Sequence, residues 1–136
     1  MSDIILTSLY EQKKREFRTQ GQGSERFEAD MLDATNRAIH RINRDADLET
    51  AITRVTDLEA TLGLDDKYED VLSDLITVNL IDMGQRPARG EEVNYAALVR
   101  AMPDKIDGIR QDIMNKAIAA DTTDEVSFVG LGALGG

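Results

Sequence analysis

Apolar residues recur at every third or fourth position along most of this chain, and that spacing restricts it to helices packed on helices. In the clearest stretch Phe27, Met31, Ala34, Ala38 and Ile42 follow intervals of 4, 3, 4 and 4, with Leu32 and Ile39 widening the stripe. Ser24 is placed to cap this helix, and Glu25 and Glu28 in its first turn suit the positive end of the helix dipole. Arg37, Arg41 and Arg44 lie off the stripe near its end, at Asn43–Asp45. Residues 3–18 read as an earlier helix, capped by Asp3 or Thr7, with Leu6, Leu9, Tyr10 and Phe17 on one face and Lys13 and Lys14 interrupting it. A third helix is expected from about Asp66 to Met83, capped by Asp65 or Asp66. It carries Tyr68, Val71, Leu72, Leu75, Ile76, Val78 and Leu80, and Gly84 then Pro87 stop it. From Glu91 to Ala119 a last stripe, Tyr95, Leu98, Met102, Ile106, Ile109, Ile113 and Ala117, keeps its phase through Pro103. One kinked helix and two collinear helices both fit that pattern.

Two stretches break the helical period. Thr50, Ile52, Thr53, Val55 and Thr56 are β-branched and mark residues 50–56 as a short β-prone segment. After Ala120 the stripe disappears. Four of the last eleven residues are glycine, yet Val126, Phe128, Val129, Leu131 and Leu134 are apolar. The expected fold is mainly α: a small bundle of three to four helices at residues 1–120, with an extended glycine-rich C-terminal arm at 121–136. A free terminus is normally polar, so the arm either tucks onto its own domain as a strand or adds onto a partner by main-chain pairing through those five apolar residues.

Composition removes many chemistries. The 136 residues include no cysteine and one histidine, His40, so no thiol nucleophile, disulfide, thiolate metal site or two-histidine site is expected within one chain. There is no Gly-x-Ser-x-Gly elbow and no phosphate-binding Gly-Lys-Ser/Thr loop, and Gly21-x-Gly23 lacks both the preceding strand and the third glycine of a dinucleotide site. Asp45-x-Asp47-x-Glu49 resembles the start of a calcium loop, but Thr50 stands where glycine is required. No catalytic, cofactor-binding or metal residues are expected, and the protein reads as a non-enzyme. No apolar run is long enough for a membrane span, and the acidic start, Met1-Ser2-Asp3, is unlike a signal peptide, so the chain reads as made and kept in a cytoplasm or exported only as part of something larger.

The formal net charge of −10 is concentrated. Residues 45–84 carry two cations, Arg54 and Lys67, against eleven acids, a net of −9, whereas residues 1–44 carry eight cations against seven acids. Within the block, Asp45, Asp47, Glu49, Asp57, Glu59, Asp65, Asp66, Glu69 and Asp70 are candidates for an acidic surface. Such a surface is either an ordinary solvated face or one that repels phosphate and meets a basic partner. The overall charge disfavours a sequence-independent nucleic-acid binder.

The order of these pieces resembles the head–tail adaptor (connector) proteins of tailed bacteriophages. The run Asn36-Arg37-Ala38-Ile39-His40-Arg41-Ile42-Asn43-Arg44-Asp45-Ala46-Asp47-Leu48 is similar to the end of that family's first long helix, which closes with an Ile-Asn-Arg-x-x-x-Leu pattern. The β-prone stretch, then Leu64-Asp65-Asp66-Lys67-Tyr68-Glu69-Asp70-Val71-Leu72, then a helix ending Met83-Gly84-Gln85-Arg86-Pro87, then a third helix and a non-helical C-terminal arm, follow the same order. The likeness covers residues 24–118. It implies a structural virion protein without an active site. Such subunits form a ring, commonly a dodecamer, beneath the portal protein, attach the tail or nozzle protein, and extend a channel through which DNA passes without specific binding. They reside at the head–tail junction of the virion and are made in the host cytoplasm. No cofactor and no membrane contact is implied. The competing reading is a small cytoplasmic helical interaction or regulatory domain that works as a homodimer.

Overall fold

The computed structural model describes residues 3–18, 23–48, 50–91 and 93–135, and of residues 18, 23, 24 and 120–135 it describes the backbone alone. The elements run β1 (Asp3–Ile5), α1 (Leu6–Glu16), β2 (Phe17–Arg18), α2 (Gly23–Asp45), β3 (Thr61–Asp65), a 3₁₀ turn (Asp66–Tyr68), α3 (Glu69–Asp82), β4 (Arg86–Pro87) and α4 (Tyr95–Gly135). The result is a small, mainly α bundle with four helices among the described residues, as the apolar spacing requires. Two short antiparallel ribbons, β1 with β3 and β2 with β4, tie its ends together.

The core is built from the expected stripes. Phe27, Met31, Ala34, Ala38 and Ile42 of α2 are all fully buried. Leu72, Leu75, Ile76 and Leu80 of α3 meet them, Leu6, Leu9 and Tyr10 of α1 close one end, and Met102, Ile106 and Ile109 of α4 cover α3. Phe27 anchors an aromatic group, with its ring centre 6.0 Å from Tyr10 and 6.4 Å from Phe17. The end of α3 is a Schellman motif. Gly84, at φ +96°, donates to Ile81 O at 3.0 Å, and Gln85 N donates to Leu80 O at 2.9 Å. The Asp65 carboxylate accepts from Lys67 N at 3.1 Å and so caps the 3₁₀ turn ahead of α3.

Several boundaries depart from expectation. Asp3–Ile5 is a strand rather than the start of a helix, because Ile4 is buried there and Asp3 and Ile5 pair across to Asp65 and Thr61. α2 begins at Gly23, one residue before Ser24, whose side chain lies outside the described residues. α4 begins at Tyr95 rather than Glu91, where Asn94 Oδ1 accepts from Ala97 N at 3.1 Å. It runs through Pro103 as one element.

The β-prone segment is corrected too: residues 51–55 form no strand, and the strand lies later, at Thr61–Asp65. The backbone of 51–55 is satisfied by side chains instead. Asn43 donates to Ile52 O at 2.9 Å and accepts from Ile52 N at 2.8 Å. Asn36 does the same for Val55, at 2.9 and 2.8 Å. The C-terminal segment expected as an extended arm continues α4 in its backbone as far as Gly135. Once a helix is nucleated, each further residue costs little, so glycines that would prevent a helix from starting need not stop one already running. The described side chains end at Ala119.

Candidate interaction surfaces

α2 presents a polar face lined by three arginines and a histidine. Arg37, His40, Arg41 and Arg44 are spaced three or four apart, so they share one side of the helix. The two asparagine clamps bring Arg54 to the same place. By fixing Ile52 and Val55 against α2, they set Arg54 beside Arg37 and His40 around a depression of about 430 Å³. Asp33 reaches Arg37 at 3.1 Å, and Asp45 reaches Arg41 at 3.5 Å and Arg44 at 2.8 Å. Two carboxylates thus face four arginines, and the surface is net basic. Arg44, by hydrogen bond and charge, is the main cause holding the Asp45 carboxyl below its usual value.

The described members of the acidic block have different local roles. Asp45 is spent on the arginines at the end of α2, and Asp47 occupies a left-handed turn at φ +51°. Asp57 is exposed and accepts from Glu59 N at 2.8 Å, which closes a turn before β3. Asp65 caps the 3₁₀ turn, and Asp66, Glu69 and Asp70 follow it into α3. Glu49 lies outside the described residues. Lys67, the second cation of the block, is also committed: its Nζ is 2.7 Å from Asp112 of α4 and lies over the Tyr68 ring at 5.0 Å. Tyr68 Oη donates to the same Asp112 carboxylate. Lys67, through its hydrogen bond, lowers the Asp112 carboxyl, whereas burial first and then Asp112 raise the Tyr68 phenol. This cluster pins α4 to the head of α3.

A groove of about 650 Å³ opens on the far side of α3, between α1 and the first turns of α4. Its floor holds Lys13, which sequence reading places as an interruption of the α1 stripe. Lys13 is 1% exposed. Its Nζ sits 2.9 Å from Glu16 Oε1 and 2.6 Å from Ser73 Oγ, so it completes the stripe with its methylenes and keeps its charge paired. Asp74 meets Lys105 at 2.5 Å across the groove. Asp70 and Glu91 are exposed on its walls, and neither has an ion pair among the described residues. The groove is therefore net acidic.

α4 also carries uncovered apolar surface. Met102, Ile106 and Ile109 are buried and Ile113 is partly so, but Met114 and Ile118 are 39% and 55% exposed. The arm candidates Val126, Phe128, Val129, Leu131 and Leu134 belong to the same helix, and their side chains lie outside the described residues. Among the described residues no helix is long and apolar enough to cross a membrane, and no three His, Cys, Asp or Glu side chains are placed to hold a metal ion. Sequence reading missed Asn36, Asn43 and Lys13. The available signal was the seven-residue interval between the asparagines, two helical turns on one face. No protein-family model, no curated protein and no solved structure matches this chain.

Proposed function

We propose that this chain is a structural, non-enzymatic virion protein: a head–tail adaptor subunit that assembles as a ring, joins a portal protein to the tail or nozzle, and extends the DNA channel at one vertex. The observation that carries this reading is the uncovered apolar surface on the later described turns of α4. The helix buries Met102, Ile106 and Ile109 and then leaves Met114 and Ile118 uncovered on the way to an apolar C-terminal segment. Apolar surface of that kind at the end of a built domain calls for a neighbour. The succession of a long α2, an α3 closed by Gly84 and a further helix α4 supports this reading, whereas the β-prone stretch and the non-helical arm of the resemblance have no counterpart, residues 51–55 forming no strand and α4 running on to Gly135. Exposed acids such as Asp57 and Asp66, repeated around a ring, would let DNA slide without adhering.

Cryo-electron microscopy of particles made in the producing host tests this reading. The chain is expected at the head–tail junction alone. Deleting residues 126–136 is expected to leave the thermal midpoint of the bundle unchanged, with only the helical signal of the deleted turns lost, and to remove the chain from particles. A chain absent from particles and recovered only as a cytoplasmic homodimer would replace the adaptor with the interaction-domain reading.

A further inference from the structure

The two charged surfaces of the bundle have opposite sign and share no lining residue. Arg37 and Arg54 border the depression on α2, with Arg41 and Arg44 on the same helical face. Asp70, Asp74 and Glu91 border the groove between α1, α3 and α4. The internal pairing leaves a surplus on each. Among the described residues, the four arginines have ion pairs with Asp33 and Asp45 alone on the first surface. On the second, Lys13 and Lys105 serve Glu16 and Asp74, while Asp70 and Glu91 remain.

We propose that a second copy of this chain docks head to tail, the arginine face of its α2 against the acidic groove of the first. Because the two surfaces lie at different places on one molecule, the contact is heterologous. It leaves one arginine face and one groove unused at the ends, so further copies add until a rotation closes the chain into a ring. The groove, at about 650 Å³, has room for arginine side chains to enter. The contact is electrostatic at its rim, so salt weakens it. Arg54 has a specific part in it. It stands in the most acidic stretch of the sequence, and the Asn36 and Asn43 clamps transfer it to the basic face.

The contact rests on the adaptor reading in that it says how neighbouring subunits meet, but its test is separate from particle localisation. One variant carries Arg37→Glu, Arg41→Glu and Arg54→Glu, and a second carries Asp70→Lys and Glu91→Lys. Glu16 and Asp74 are left intact because they pair Lys13 and Lys105. Sedimentation velocity of the full chain is expected to show association that falls with added salt, weakened on the order of tenfold or more in either variant alone. Mixing the two variants restores association, because the reversed α2 of one now meets the reversed groove of the other. Circular dichroism checks that both remain folded. A wild-type chain that stays monomeric at all concentrations, variants that associate as well as wild type, or a mixture that fails to recover would each overturn the contact. If the contact holds and the chain is nevertheless absent from the head–tail vertex, the adaptor reading falls and the contact stands.

Discussion

At the scale of single residues, Asn36 and Asn43 do what a neighbouring strand does elsewhere. A carboxamide has the donor and acceptor arrangement of a peptide group, so each asparagine pairs with both backbone groups of one residue, Val55 or Ile52. Ile52 and Val55 are 5% and 6% exposed, so their amides could not otherwise turn to water. Asn36→Ala and Asn43→Ala are each expected to lower stability by about 1–3 kcal/mol, since each strands a buried N–H and C=O. Urea unfolding measures this, and a loss below ~0.5 kcal/mol would mean that water replaces the clamp without cost. Two asparagines one heptad apart were legible in the sequence, but their partners were not, because a side chain that imitates backbone leaves no mark on the segment it holds. Lys13 shows the same limit from the other side: a lysine on an apolar face reads as an interruption until Ser73, sixty positions away, supplies its partner.

Among the elements, α3 was the most legible, because local chemistry specifies both its ends. Asp65 caps its approach and Gly84 closes it in a conformation that other residues resist. Leu75, 1% exposed at its centre, faces α2. Leu75→Asp is expected to unfold the bundle by placing an unpaired charge there, and an unchanged thermal midpoint would contradict the packing. In α4, Pro103 removes a helical N–H and crowds the carbonyl of Val99 one turn earlier, yet Met102 and Ile106 on either side are buried. Pro103→Ala is expected to stabilise the bundle by about 1–3 kcal/mol, read as a rise in thermal midpoint. A fall would contradict the cost assigned to Pro103 in the helix interior. The β-prone stretch at 50–56 misled because branched residues favour strands only where a strand is available to pair, and here α2 lies alongside instead.

For the whole molecule, the net charge describes less than its distribution. The acidic block of the sequence is dispersed by folding into caps, turns and ion pairs, and Arg54 leaves it for the basic face. Asp45 and Asp65 of that block, and Asp112 of α4, titrate below the ordinary 3.8 because cations or backbone N–H groups hold the charged form. A carboxyl lowered in the folded state contributes stability that is present above its unfolded value and lost as pH falls through the lower, folded one. Thermal midpoints are therefore expected to fall below about pH 4. Asp112→Asn should flatten that fall by removing the Lys67–Asp112 pair, and an unchanged acid limb would assign the loss to other groups. The sequence by itself determined the mainly helical class, the buried faces of the helices and the stop after α3, since those depend on the period of apolar residues and on local cap and turn chemistry. Only the tertiary structure decided which polar side chains serve another segment's backbone, where Lys13 keeps its charge, and how the charges sort into a basic α2 face and an acidic groove. The clamps span nine and nineteen positions and the Lys13–Ser73 hydrogen bond sixty, and the spacing of residues along a chain does not encode which distant groups will meet.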